Sequence, residues 1–85
     1  MSSRKFSGRR EALTYRQHFA AAWSEFIRDN FESPEHAAHV FKVDGKTATN
    51  WWDGVNAPSG WVVGRAVTDP EMRDAALAAI SGAPA

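Results

Sequence analysis

Apolar side chains recur in the first part of this sequence at the three- and four-residue spacing that places them on one face of an α-helix. The apolar positions of this first helix are Phe19, Trp23, Phe26 and Ile27. Thr14 and Gln17 have the spacing of a capping box, in which each side chain satisfies a backbone N–H at the start of a helix. We therefore predict a first helix from about residue 15 to about residue 30.

Ser33, Pro34 and Glu35 mark the start of a second helix. A serine hydroxyl caps the free N–H groups, and proline suits the first helical position because it has no N–H to leave unpaired. The Glu35 carboxylate lies at the positive end of the helix dipole, where a negative charge is stabilised. This signature predicts a short helix from about Pro34 to about Phe41.

Asp44 is expected to cap a third helix at about 45–52, and Gly54 is expected to end it in the left-handed conformation. Only a few residues separate the second helix from the third. A connection this short forces two helices into contact at a steep angle, which predicts a helix-turn-helix unit.

The rest of the chain predicts two more helices. The loop 56–60 precedes a fourth helix at about 61–67, and residues 69–71 repeat the signature of cap, proline and acid. The apolar stripe of the fifth helix, which should stop at Gly82, is Met72, Ala76, Ala79 and Ile80. No segment has the strict alternation of a strand, so the predicted fold class is all-α, with five helices and no repeats.

The four tryptophans divide into two groups. Trp23, Trp51 and Trp61 fall on core-facing positions of their predicted helices, so we expect them in the core and not stacked on single-stranded nucleic acid. For Trp52 two interpretations stay open. It packs on Ile27, or it is a partly exposed anchor for a partner protein.

A chain of 85 residues that is 44% hydrophobic is long enough for one domain with a small core. It has no cysteine, which fits a reducing cytoplasm and excludes thiolate metal sites. No segment has the apolar length of a membrane span or a signal peptide. We assign residues 13–82 to the folded domain, 1–12 to a flexible basic arm and 83–85 to a C-terminal tail. The Ser-Gly-Ala-Pro-Ala ending also fits the start of a linker in a longer regulator.

The net charge of zero, from ten basic and ten acidic residues, argues at first against a nucleic-acid partner. The distribution changes that interpretation, because residues 1–16 carry five basic side chains against one acidic and residues 17–41 are acidic. Four basic residues form the arm: Arg4, Lys5, Arg9 and Arg10. Such an arm follows a DNA backbone or enters the minor groove, or it is simply a solvated tail.

Residues 33–59, SPEHAAHVFKVDGKTATNWWDGVNAPS, carry a further pattern. A hydroxyl residue opens the first helix of the pair, small and aliphatic residues follow at the crossing and the turn, and a glycine and a later proline close the unit. The matching positions are Ser33, Ala38, Val43, Ala48, Trp51, Gly54 and Pro58. The segment resembles the helix-turn-helix core of the phage repressor/Cro (XRE-type) DNA-binding domains. The resemblance implies a compact five-helix, lambda repressor-like fold and a bacterial regulator of phage or mobile-element type.

Three positions depart from the family pattern. Lys42 stands where the family prefers glycine, which implies a turn strained by about 1 kcal/mol. Pro34 replaces a glutamine that in many relatives touches a phosphate. Trp52 replaces a glutamate that commonly pairs with an arginine on the first helix, and the position opposite it is expected to be Ile27.

In a helix-turn-helix the third helix enters the major groove, and its exposed face meets the edges of the bases. The predicted base-contacting residues are Gly45, Lys46, Thr47, Thr49 and Asn50. Lysine donates to guanine, asparagine makes a bidentate pair with adenine, and threonine reaches a base or a phosphate. The predicted DNA-backbone contacts are Ser33, His36, Lys42, Asn56 and Ser59.

The function we expect from the sequence is double-stranded DNA binding as a small transcriptional regulator, with no enzymatic activity, no cofactor and no small-molecule substrate. We expect either a homodimer on two half-sites or binding in cooperation with another protein. The Met72, Leu77 and Ile80 side of the fifth helix is the first candidate dimer surface. His18, His36 and His39 lack the further ligands of a metal site. The competing interpretation is a protein-interaction module on the same scaffold that binds a transcription-machinery, phage or mobile-element partner. Its supporting features are Trp52, the zero net charge and the acidic side chains Glu25, Asp29 and Glu32.

Overall fold

The computed structural model describes the backbone of residues 9–81 and the side chains of residues 15–81. Across the described backbone the chain forms five α-helices and no strand, so the predicted all-α fold class is confirmed. The helices are α1 (Arg9–Asn30), α2 (Pro34–Phe41), α3 (Gly45–Trp52), α4 (Gly60–Thr68) and α5 (Arg73–Ser81). None of these helices combines the length and the apolar character needed to cross a membrane.

The first helix begins earlier than predicted. It already includes Arg9, and Thr14 lies inside it, so the expected capping box at Thr14 and Gln17 is wrong. Arginine, glutamate, alanine and leucine are all good helix formers, and residues 9–13 consist only of these types. Residues 9–12 of the predicted flexible arm are therefore helical, while Arg4 and Lys5 lie outside the described residues.

The starts of α2 and α3 follow the predicted caps. Ser33 Oγ accepts a hydrogen bond from the His36 N–H at 3.1 Å, and Asp44 Oδ1 accepts one from the Thr47 N–H at 2.7 Å. Each bond satisfies one of the N–H groups that an α-helix leaves free at its start. Gly54, just after α3, has φ 74°, in the left-handed region where glycine is favoured.

The second half of the fold shows small shifts from the predicted bounds. α4 begins one residue earlier than expected, at Gly60. Residues 69–72 form a turn that leads into α5, in which Asp69 Oδ1 accepts a hydrogen bond from the Glu71 N–H at 2.8 Å. Arg65 of α4 donates to the Val40 carbonyl at 3.2 Å, and this bond joins α4 to the C-terminal end of α2. The predicted stop at Gly82 lies outside the described residues.

Aromatic side chains of α1, α2 and α3 form the centre of the core. Trp23, Phe41 and Trp51 are each almost completely buried. Their ring centroids lie 5.6–6.0 Å apart, in tilted and edge-to-face arrangements. Such ring pairs add stability beyond the area that they bury. Smaller residues close the core from the side of α4 and α5: Val62, Ala66, Met72 and Ala76.

Two expectations about burial are wrong. Trp61 was expected in the core and is instead 58% exposed, because α4 packs through Val62 and Ala66 and turns its neighbour outward. Met72, expected on a dimer surface with Leu77 and Ile80, is buried. Of those three side chains, Leu77 is the exposed one.

Candidate nucleic-acid interface

The connection between α2 and α3 is three residues long and contains a left-handed residue. Lys42 has φ 60° and ψ 48°, which is the left-handed conformation. The sequence pattern prefers glycine at this position, and glycine adopts this conformation most readily. Its backbone N–H and that of Val43 both reach the Ala38 carbonyl, which closes the C-terminal end of α2. The turn therefore holds α2 against α3 and leaves the Lys42 side chain exposed.

The two faces of α3 differ sharply. Ala48 and Trp51 are buried, whereas Gly45, Lys46 and Thr49 are exposed. The predicted base-contacting residues Thr47 and Asn50 are half-buried and lie three residues apart, side by side at one edge of the exposed face. All five predicted residues are thus at least partly accessible on one helix.

Asp44 brings a negative charge to the start of this helix. The backbone N–H of Thr47 holds the pKa of the Asp44 carboxyl below its ordinary value, and the Thr47 side chain and the positive charge of Lys46 act in the same direction. The carboxylate therefore caps α3 in its charged form.

Beside α3 lies a surface groove of about 680 Å³. It brings together four residues that were predicted as DNA contacts, namely Lys42, Thr47, Asn56 and Ser59. Arg16 of α1 and Trp61 of α4 also line it. Thr47 belongs both to α3 and to the groove, so the groove continues the exposed face of that helix. We refer to it below as the α3–α4 groove.

Sequence reasoning did not select Arg16 or Trp61 as site residues. Arg16 comes to the groove through the packing of α1, which local spacing does not reveal. A signal for Trp61 was present, because Val62 and Ala66 are four residues apart and define a buried face. Trp61 and Arg65 share the opposite, exposed side of α4.

Ser33 and His36, two of the predicted backbone contacts, do not line the α3–α4 groove. Ser33 Oγ is the cap of α2, and His36 Nδ1 accepts a hydrogen bond from the Glu32 N–H at 3.2 Å. The His36 ring also packs edge-on against Phe31, with 5.2 Å between ring centroids. Both side chains therefore make contacts that hold the start of α2.

The C-terminal end of α3 is attached to α1. The Trp52 carbonyl accepts hydrogen bonds from Ser24 Oγ at 2.7 Å and from Arg28 Nε at 2.8 Å. The Arg28 guanidinium also lies over the Trp52 ring, 5.9 Å from its centroid. Arg28 meets this ring and makes a cation–π contact with it, and the half-buried Trp52 also packs against the core cluster to which Ile27 belongs.

The remaining predicted residues are distributed as follows. Arg9 and Arg10 lie in the first turn of α1, and the structure describes only their backbone. Glu25, Asp29 and Glu32, the acidic side chains near the end of α1, are exposed. Within the described residues, no three histidine or acidic side chains come together as metal ligands.

The chain was compared with models of protein families, with curated proteins and with solved structures, and no match was found in any of the three comparisons.

Proposed function

We propose that this chain binds double-stranded DNA in a sequence-specific manner and acts as a small transcriptional regulator of phage or mobile-element type in the bacterial cytoplasm. In this proposal α3 enters the major groove. Lys46, Thr49 and Asn50 meet base edges, and the neighbouring Lys42, Asn56 and Ser59 contact the sugar–phosphate backbone.

The observation that carries the proposal is the way α3 is presented. Its buried side chains are Ala48 and Trp51, with Trp52 half-buried beside them, and the face away from these residues carries Gly45 and polar side chains. The helix is fixed at its start by the Asp44 cap and at its end by Ser24 and Arg28. A helix held at both ends loses little conformational freedom on binding, which favours a precise contact with base edges.

The electrostatic support is local and modest. The α3–α4 groove has Arg16 and Lys42 at its rim, against the single carboxylate of Asp44. Few phosphates are neutralised by such a surface, so one copy of the domain should bind weakly and depend strongly on salt. We therefore propose a homodimer, with two copies of α3 about 34 Å apart on successive turns of the duplex.

The test begins with selection of bound sequences from random duplexes, followed by an NMR titration with the selected duplex. The amides of residues 45–50 should shift. Lys46→Ala and Asn50→Ala should each weaken specific binding by about 5- to 150-fold, the value of one bidentate base contact. Arg73→Ala, which removes an exposed charge from α5, is the matched control and should bind like the parent. Shifts confined to α1 and α5 would overturn the proposal.

The alternative is a protein-interaction module, and one observation favours it. Val55 and Trp61 are exposed apolar side chains, 63% and 58% accessible, in the segment that follows α3. By contrast, the Trp52 ring is covered by Arg28 and is a poor anchor. Retention on duplex DNA or heparin that falls steeply with salt supports DNA binding, whereas no retention at low salt supports the module.

A further inference from the structure

We infer that the α3–α4 groove receives the sugar–phosphate backbone of the duplex, and that Trp61 packs against a deoxyribose there. The inference rests on the proposed function and adds to it a residue and a type of contact. Trp61 was expected to belong to the core. In the structure it is 58% exposed and lines the same groove as Lys42 and Thr47.

The groove has two chemical parts. Besides Trp61, its apolar lining consists of Val43 and Ala57 at the surface and the buried Trp51 and Val62 beneath them. Arg16 and Lys42 add positive charge, and Asn56 and Ser59 add polar groups. A DNA backbone has the matching composition, because apolar sugar faces alternate with anionic phosphates along it. A single exposed apolar residue needs no explanation, but an indole within such a mixed surface points to this partner.

Position strengthens the assignment. Thr47 is shared by the groove and by α3, so a duplex seated on α3 brings its backbone to the mouth of the groove. The negative charge of Asp44 is directed at the Thr47 N–H, with 2.7 Å between the two atoms. A phosphate is repelled by this carboxylate and attracted by Arg16 and Lys42, which line the same groove as Trp61.

A sugar contact is independent of base sequence, which separates Trp61 from the α3 residues. Trp61→Ala should weaken binding to the selected duplex and to a random duplex by the same factor, about tenfold. It should leave the slope of log affinity against log salt unchanged, because the indole is uncharged. Arg16→Ala should lower that slope by about one, the value of one phosphate contact. Arg73→Ala removes an exposed charge from α5 outside the groove and should change neither the affinity nor the slope.

The direct experiment follows the indole N–H signals of the four tryptophans in the full chain, with that of Trp61 assigned by Trp61→Phe. A random duplex of about 20 base pairs is added at low salt, where backbone contacts dominate. We expect the Trp61 signal to shift while that of Trp23, which is buried and does not line the groove, stays in place. This readout uses the parent chain and does not depend on the folding of a variant.

Three other outcomes overturn the inference. If DNA shifts the amides of residues 45–50 but not the Trp61 indole, and Trp61→Ala binds like the parent, the inference fails and the proposed function stands. If DNA shifts neither, the proposed function fails as well. If the Trp61 signal moves on dilution without DNA, a second copy of the chain occupies the groove.

Discussion

The two halves of this domain are built from different side chains. The half formed by α1, α2 and α3 contains Trp23, Phe41 and Trp51 in mutual ring contact. The half formed by α4 and α5 contributes Val62, Ala66, Met72 and Ala76 to the same core. Each large ring buries far more surface than an alanine, so the free energy of folding is concentrated under α3.

This difference in the size of the core side chains bears on where the packing can adjust. The helix with the candidate DNA-binding face lies on the aromatic half, while the exposed Trp61 lies on the half with small side chains. Large side chains that interlock leave few alternative packings, whereas small ones allow adjustment. In our proposal, α3 on the aromatic half reads the bases, and Trp61 on the half with small side chains meets the sugar.

The largest expected effect comes from removing one large ring from the aromatic half of the core. Trp51→Ala should cost about 3–5 kcal/mol of unfolding free energy, which approaches the whole stability of a small domain. Val62→Ala on the other half should cost about 2 kcal/mol. Chemical denaturation of both variants measures the two losses, and equal losses would remove the distinction between the halves.

The helix caps sharpen the same comparison. Ser33 caps α2 through its side chain, whereas Ser59, at the equivalent position of α4, makes no side-chain cap bond. Ser33→Ala should therefore lower the unfolding free energy by about 1 kcal/mol, and Ser59→Ala should leave it almost unchanged. Thermal unfolding monitored by circular dichroism compares the two. A loss at Ser59 as large as at Ser33 would contradict the cap assignment.

The turn between α2 and α3 allows stability and binding to be separated. Lys42→Gly should raise the unfolding free energy by up to about 1 kcal/mol, because glycine adopts φ 60° without the steric cost of a Cβ. The same change removes a proposed phosphate contact and should weaken DNA binding. Lys42→Ala is the control, since it removes the charge but keeps the Cβ. A stability gain of the same size in the alanine variant would show that the turn is not strained.

The smallest effect concerns pH at the start of α3. The pKa of Asp44 is lowered in the folded chain, chiefly by the Thr47 N–H, so its charge adds stability above the unfolded value of about 3.9. This contribution is lost as pH falls through the lower folded value. Asp44→Asn keeps a capping oxygen without the charge. The melting temperature of the parent should exceed that of the variant at neutral pH, and the difference should vanish in acid.

Local signals in the sequence predicted α2 and α3 well. Ser33 and Asp44 act on N–H groups only three residues away, so their effect is visible without the fold. The start of α1 was missed because residues 9–13 show no apolar period, although their helix propensity is high. Turn geometry at Lys42 was predicted from the position that glycine holds in the family pattern.

The candidate site was predictable only in part. The exposed face of α3 follows from the burial of Ala48 and Trp51, which local periodicity indicates. Trp61 was misplaced because local periodicity does not single out the buried face of α4. The pairs Val62-Val63 and Ala66-Val67 make two adjacent faces of this short helix almost equally apolar. Arg28 was missed opposite Trp52 because their contact joins two helices 24 residues apart in sequence, which local spacing does not reveal. Contacts between segments that are distant in sequence determine where the Trp61 and Arg28 side chains lie.

The bonds from Ser24 and Arg28 to the Trp52 carbonyl have a mechanical consequence. Helix α1 is a rod about 33 Å long, and it is anchored in its C-terminal half to the end of α3. Arg16, on the same rod, is therefore carried to the groove at a fixed offset from α3, without the ordering of a flexible segment. In the proposed function, loosening Ser24 would disturb that offset and weaken DNA binding, although the buried Ser24 lies away from the proposed DNA-binding face.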